Sequence, residues 1–111
     1  MLKDLQITVL FDFYRNILTE KQAEAVDLYY NEDLSLAEIS DHLGITRQGV
    51  RDCIKKAENV MREMESGLNL AARHTAIHDM LSRISAEIDA LSCEPEKLRS
   101  IKKLLTKLEE S

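Results

Sequence analysis

Residues 35–50, SLAEISDHLGITRQGV, contain two helix starts and one helix stop within a short stretch. Ser35, followed three positions later by Glu38, is the pattern of a capping box, and Thr46 can cap a second helix. Gly44 lies between them at a helix end, where a left-handed backbone conformation costs least for glycine. The spacing therefore predicts two helices joined by a tight turn, which is the helix-turn-helix arrangement.

The inner surfaces of these two predicted helices carry the apolar residues that such a motif needs. Ser40 is small where the helices approach each other most closely, and Leu34 can form a hydrophobic staple with Ile39 across the first cap. The residues predicted to hold the two helices together are Ile39, Leu43, Ile45, Val50 and Cys53.

The rest of the sequence also favours helices, because only three glycines and one proline occur in 111 residues. An all-α fold is predicted. A first helix is expected over residues 2–17 from apolar residues at spacings of three and four: Leu2, Leu5, Val9, Phe13 and Ile17, widened by Leu10 and Tyr14. Thr19 and Gln22 predict a capping box at a second helix, which packs through Ala23, Val26, Tyr29 and Tyr30. The helix that begins at Thr46 has no stop before Gly67.

Past Gly67 the apolar pattern resumes and then breaks at SCEPEK, where Pro95 suits the first turn of a new helix. The last helix carries Leu98, Ile101, Leu105 and Leu108 in a three-four alternation. We expect a helix-turn-helix portion over residues 1–66 and a C-terminal helical hairpin over residues 67–111, packed on the long helix or on another subunit. Because no linker separates the two portions, they are expected to form one continuous helical body.

Positive charge is concentrated in the second half of the motif, although the whole chain has a formal net charge of -5. Residues 46–57 carry four basic side chains and one acidic side chain. Charges farther away than a Debye length of about 8–10 Å are screened, so a local basic face can attract a polyanion. Contact with duplex DNA is therefore predicted for this helix, and the chain is read as a DNA-binding protein.

The side chains of this helix that face outward are the DNA-binding candidates. Arginine can hold the edge of guanine with two hydrogen bonds, and glutamine can do the same with adenine. Lysines and the capped helix N-terminus are better suited to phosphates. The base-reading candidates are Arg47, Gln48 and Arg51, and the phosphate candidates are Thr46, Lys55 and Lys56. Asp52 would repel phosphate, so it is expected to pair with Arg51 or a lysine, accept a hydrogen bond from cytosine, or mark a surface not used on DNA.

The terminal helix offers a second basic surface. Its cations flank the apolar stripe at Lys97, Arg99, Lys102, Lys103 and Lys107. Such a helix can cover a core with its lysine stems, or it can bind RNA phosphates, an acidic protein or a membrane surface. A packed helix with solvated lysines is the simpler of these interpretations.

Other classes of function find little support in the sequence. No phosphate-binding glycine loop, nucleophile elbow or Cys–His pair at a catalytic spacing is present, so the chain is not predicted to be an enzyme or to bind a cofactor. Cys53 and Cys93 match no metal or redox spacing and are predicted to be buried apolar side chains. His74 and His78 are one helical turn apart but have no evident third ligand, so no metal site is predicted. Without a signal peptide or a long apolar run, the protein is expected to be soluble and cytoplasmic and not inserted in a membrane.

Residues 18–62, LTEKQAEAVDLYYNEDLSLAEISDHLGITRQGVRDCIKKAENVMR, resemble region 4 of bacterial sigma factors, and nearly the whole chain resembles the YlxM family of small helix-turn-helix proteins. The resemblance implies a sigma-region-4-like, winged-helix-like arrangement in the first portion and a cytoplasmic bacterial protein. Genes of this family typically lie beside that of the signal recognition particle GTPase, which implies a regulatory role in that pathway. Thr19 stands where sigma region 4 commonly has proline, and Gly49 stands where a charged residue is frequent.

Two hypotheses of function follow. The first is a regulatory protein that binds duplex DNA as a homodimer, paired through the exposed remainder of the first helix or through the C-terminal hairpin. The second is an accessory protein that binds the signal recognition particle GTPase or RNA and uses the helix-turn-helix only as a scaffold, so that the cations of the terminal helix matter most.

Overall fold

The computed structural model describes residues 1–91 and 95–110, and within these ranges all regular structure is helical, with no β-strand. The prediction of an all-α fold is confirmed. The α-helices are α1 (Gln6–Tyr14), α2 (Glu20–Val26), α3 (Leu36–Leu43), α4 (Arg47–Leu68), α5 (Leu70–Asp89) and α6 (Pro95–Glu110). A 3-10 turn over Arg15–Ile17 follows α1, and a π-helical turn over Asp27–Asn31 extends α2.

The predicted starts of α2 and α3 are confirmed by hydrogen bonds at their caps. The Thr19 side chain accepts from the Gln22 backbone and the Gln22 side chain accepts from the Thr19 backbone, which completes a capping box at α2. Ser35 and Glu38 form the same reciprocal pair at α3. These caps satisfy backbone N–H groups that have no partner within the helix, so they fix where each helix begins.

The chain forms two compact units, Met1–Ala71 and Ala72–Ser111. In the first unit, α4 packs against α1, α2 and α3. One apolar cluster of this unit joins α1 to Ala57 and Met61 near the middle of α4, and the other joins α2 and α3 to Val50 and Ile54 nearer its N-terminus. The long helix therefore serves both as the centre of the unit and as the second helix of the motif.

The predicted extent and face of α1 are wrong in part: the helix begins at Gln6 rather than at Leu2, whereas Leu10 and Tyr14 are buried and Phe13 packs against the core as predicted. Leu2 and Leu5 are 95% and 77% exposed, and Val9 and Ile17 are also exposed. The buried face consists of Ile7, Leu10, Phe11 and Tyr14, which follow the helical spacing i, i+3, i+4, i+7. Residues before Gln6 lie outside the helix, so a register extended from Leu2 and Leu5 points away from the core.

A polar network ties the first residues of the chain to α4. Arg62 donates to Asp4 at 3.0 Å, and its guanidinium lies 3.5 Å from Glu58. The Tyr30 hydroxyl donates to Glu58 at 2.8 Å and accepts from the Asp4 backbone at 3.2 Å. Burial, the first cause, and the hydrogen bond to Glu58 raise the pKa of Tyr30 to about 12. The one buried carboxylate of the described core is thus satisfied by a phenol and a guanidinium.

The second unit contains most of α5 and all of α6. The connection between these helices is too short for a parallel crossing, so they run antiparallel as a helical hairpin. Lys102 of α6 donates to Ser85 at 2.6 Å and to Asp89 at 2.7 Å, both on α5. In the part of this unit that the structure describes, only Leu81 and Leu105 among the large apolar side chains are buried.

Candidate nucleic-acid interface

The turn between α3 and α4 has the backbone that the sequence predicts. Gly44 adopts a left-handed conformation with φ +69°, and its N–H donates to the Ser40 carbonyl at 2.9 Å. The Ser40 hydroxyl donates to the carbonyl of Ile45 at 2.5 Å, a bond that the sequence did not predict. Ser40 is therefore not only small enough for the two helices to approach each other closely, because its hydroxyl also stabilises the turn that follows through this hydrogen bond.

The predicted apolar contacts of the motif are confirmed. Ile39, Val50 and Ile54 are completely buried in one cluster with Ala25 and Tyr29. The partly buried residues around this cluster include Leu34, Leu43, Ile45 and Cys53. Because these contacts come from α2, α3 and α4 together, the N-terminal half of α4 is held rigidly and only its outer side can meet a ligand.

The N-terminus of α4 is capped by Thr46, as predicted, whose Oγ1 accepts from the Gly49 N–H at 2.9 Å. No acidic residue lies in the first turn. The positive end of the helix dipole is therefore not neutralised locally, and Thr46 and Arg47 are both exposed beside it. This is a suitable position for a phosphate.

Along the outer side of α4, Gln48, Lys55 and Lys56 are exposed as predicted, but Arg51 is only half-exposed. The Nε atom of Arg51 is buried and has no hydrogen-bond partner in the protein. The stem of Arg51 therefore lies against the protein. An arginine held in this way has less conformational freedom to lose when its guanidinium binds a ligand.

Asp52 has a partner that the sequence analysis did not predict. Its Oδ1 accepts from Gln48 Nε2 at 3.0 Å, one helical turn away. The pair orients the amide of Gln48, and Gln48 keeps its carbonyl oxygen and a second N–H for another partner.

A further cation near this surface comes from α2. Burial raises the pKa of the Cys53 thiol, and the positive charges of Lys21 and Lys56 act in the opposite direction. Both charges therefore lie close enough to Cys53 to influence its pKa. Lys21 is exposed and was missed by the sequence analysis, since no local pattern connects a residue of α2 with the motif.

The first helix of the motif supplies little positive charge. Glu38 and Asp41 of α3 are exposed, and His42 lies 3.3 Å from Glu24 of α2. Within the motif itself, phosphate contacts would therefore come from α4 rather than from α3.

The cations predicted on the terminal helix do not form one surface. Lys102 is half-buried against Ser85 and Asp89, whereas Lys97, Arg99, Lys103 and Lys107 are exposed. Lys102 is thus engaged within the hairpin, and a test of binding by this helix should leave it unchanged.

Other candidate chemistry is sparse in the described part of the chain. The His74 and His78 rings stack with centroids 4.2 Å apart, but no group of three or more residues suited to holding a metal occurs there. Cys53 is half-buried, which is less than predicted, and Cys93 lies outside the described residues. None of the described helices is both long and apolar enough to cross a bilayer.

Comparison with known proteins places this geometry in a family. A family model described as "Putative helix-turn-helix protein, YlxM / p13 like" (UPF0122) matches residues 1–104. A UPF0122 protein of Thermoanaerobacter sp. strain X514 is 40% identical over 109 residues, covering 96% of this chain and 93% of its own. One from Halalkalibacterium halodurans is 36% identical over 104 residues, covering 94% of this chain and 95% of its own. One from Symbiobacterium thermophilum is 42% identical over 89 residues, covering 79% of this chain and 83% of its own.

Proposed function

The chain belongs to the UPF0122 family of YlxM/p13-like helix-turn-helix proteins, and we propose that it is a non-enzymatic regulator that binds duplex DNA in the cytoplasm through α4. The observation that carries the proposal is the outer side of α4, where Arg47, Lys55 and Lys56 are exposed on a helix whose other side is locked into the core. A rigid, cationic helix at the end of a tight turn is what major-groove binding requires.

We assign different tasks to the residues of this surface. Arg47, Gln48 and Arg51 contact base edges, with Gln48 oriented by Asp52. Thr46 and the backbone N–H groups beside it, together with Lys55 and Lys56, contact phosphates. Lys21 of α2 extends the phosphate contacts to the flank of α4.

Anisotropy of labelled random duplex DNA across a salt series tests this proposal. The variant Lys55→Gln/Lys56→Gln removes two exposed charges that the proposal assigns to phosphates, and it leaves the base-reading residues in place. If each charge meets one phosphate, the slope of log K against log salt should become less negative by about 1.8. The matched control Lys103→Gln/Lys107→Gln removes the same charge from α6 and should leave the slope unchanged. DNA binding that is equally weak in both variants would show a charge effect without a site on α4.

The alternative is an accessory role in the signal recognition particle pathway, with the helix-turn-helix as scaffold. The four exposed cations of α6 favour it, since they provide a second group of positive charges on a helix that is not part of the motif. Under this alternative, the Lys103→Gln/Lys107→Gln variant loses affinity for the particle's RNA or GTPase, whereas Lys55→Gln/Lys56→Gln binds like the unmodified protein. The opposite pattern would exclude it.

A further inference from the structure

We propose that one apolar side of the hairpin formed by α5 and α6 binds the same side of a second copy of this chain, so that two hairpins make a four-helix bundle. The proposal does not depend on DNA binding. It rests on three observations. One side of the hairpin exposes apolar side chains, the area of that side suits a second hairpin, and the unit carries no net charge.

The two sides of the hairpin differ in chemistry. Successive residues of a helix are rotated by about 100° around its axis. Ser85 and Asp89 therefore lie on one side of the buried Leu81. The exposed apolar residues of α5 lie on the other side: Ile77, Met80 and Ile84. On the first side, Lys102 joins the two helices by hydrogen bonds to Ser85 and Asp89. That side is therefore closed by polar contacts.

The second side is apolar on both helices. On α6, Ile101, Leu104 and Leu108 are rotated away from Lys102 about the buried Leu105. Because the two helices are antiparallel, residues rotated in the same direction from Leu81 on α5 and from Leu105 on α6 lie on the same side of the hairpin. The apolar residues exposed on this side, each 40–61% exposed, are Ile77, Met80, Ile84, Ile101, Leu104 and Leu108. A shallow groove lined by Ala76, Ile77, Met80 and Leu81 runs along it.

The size of this surface suits a second hairpin. The 16 residues of α6 span about 24 Å at 1.5 Å per residue, and two helices about 10 Å wide give a face of about 500 Å². Two such faces reach the roughly 1,000 Å² that a specific interface needs. A single hairpin of about 40 residues is also near the limit below which a domain usually needs oligomerisation or another additional source of stability.

Charge also favours a second copy over a polyanion or an acidic partner. Residues 72–111 contain seven basic and seven acidic side chains, so the formal net charge of the unit is zero. Two copies would therefore meet without net repulsion. Apolar stripes on both helices of an antiparallel pair, repeated by a two-fold axis, give the arrangement of a four-helix bundle.

Sedimentation equilibrium of the full chain at tens of micromolar, without DNA, tests the proposal. We expect a dimer. Met80→Glu/Leu104→Glu should raise the dimer dissociation constant by about 100-fold, because like charges would meet in an apolar interface. The matched control Leu2→Glu/Leu5→Glu, on the exposed residues preceding α1, should leave the dimer intact. A monomeric protein, or a dimer that only the control variant dissociates, would overturn the proposal.

Charge complementation separates a lost interface from a misfolded hairpin. Met80→Lys/Leu104→Lys should also be monomeric, but its mixture with Met80→Glu/Leu104→Glu should form a heterodimer, since opposite charges then face each other across the two-fold axis. If the mixture stays monomeric while both variants keep their helical content by circular dichroism, the face named here is not the interface.

Discussion

The unit Met1–Ala71 and the unit Ala72–Ser111 are both built from amphipathic helices, but they bury their apolar side chains to very different degrees. Thirteen hydrophobic residues of the first unit are buried, against two in the described part of the second. The difference follows from geometry, because α4 is surrounded by three helices whereas α5 and α6 have only each other within their unit. Because packing of an apolar face supplies most of the stability of a helix in a protein, the two units should differ in stability.

The largest effect should come from the core of the first unit. Ile54→Ala removes a completely buried side chain and should lower the free energy of unfolding by about 3 kcal/mol, from the lost burial and the cavity left behind. Leu105→Ala in the hairpin should not shift the unfolding of the first unit. All three tyrosines, Tyr14, Tyr29 and Tyr30, belong to the first unit, so tyrosine fluorescence in urea follows that unit alone.

Far-UV circular dichroism recorded on the same samples follows the helices of both units. We propose that urea unfolding followed by tyrosine fluorescence and urea unfolding followed by circular dichroism have different midpoints. Leu105→Ala should then change only the dichroism curve. If both signals changed together in every variant, the chain would unfold as the single helical body that the absence of a linker suggests.

Gly44 offers the next largest test, because it concerns the backbone of the motif rather than its core. A methyl group at Gly44 would meet nothing within 4 Å, so the cost of Gly44→Ala is the left-handed conformation alone. That cost should be about 1 kcal/mol, measured by the tyrosine signal in urea. Asn69 ends α4 with the same left-handed backbone, at φ +54°. Asn69→Ala is the matched change at the end of α4 and should cost less, because Asn69 already holds a Cβ in the left-handed conformation; equal costs would contradict this explanation.

Tyr30 allows a test of the first unit by pH. The pKa of an unfolded tyrosine is near 10, whereas burial raises that of folded Tyr30 to about 12. Above pH 10 the unfolded chain loses the proton first, so stability present below pH 10 is lost as the pH rises toward 12. Tyr30→Phe should flatten this alkaline slope and cost about 1 kcal/mol at neutral pH through the lost hydrogen bond to Glu58. An unchanged slope would mean that Tyr30 is not the group that titrates.

The sequence predicted local features better than long-range ones. Both capping boxes, the cap at Thr46 and the left-handed Gly44 are decided by residues within a few positions of each other, and all are confirmed. The face of α1 was predicted wrongly in part because the predicted stripe was extended back to Leu2 and Leu5, which precede the first helical residue, Gln6. Lys21 and the α5 partners of Lys102 were missed for a different reason, since each lies in another helix from the residue that it affects.

Gly49 gives the smallest expected effect and tests the first turn of the proposed DNA-binding helix. Alanine stabilises a helix interior by about 1 kcal/mol over glycine. A Cβ at Gly49, however, would lie 3.2 Å from Thr46 Oγ1, the atom that caps the helix. The Thr46 cap is itself worth about 1 kcal/mol. The stability gained from the helix propensity of alanine and the stability lost from the disturbed cap should therefore nearly cancel. Gly49→Ala alone should change the free energy of unfolding by less than about 0.5 kcal/mol.

A double-mutant cycle with Thr46→Ala reveals the two opposing effects at Gly49. In the Thr46→Ala background no hydroxyl meets the new methyl group, so Gly49→Ala should recover the full propensity gain of about 1 kcal/mol. Urea unfolding of the four proteins, followed by tyrosine fluorescence, gives the coupling directly. Equal effects of Gly49→Ala in both backgrounds would mean that the glycine is not required by the cap. Its place in the helix would then have to be explained by the surface it offers to a ligand, where the missing side chain allows a closer approach to the backbone.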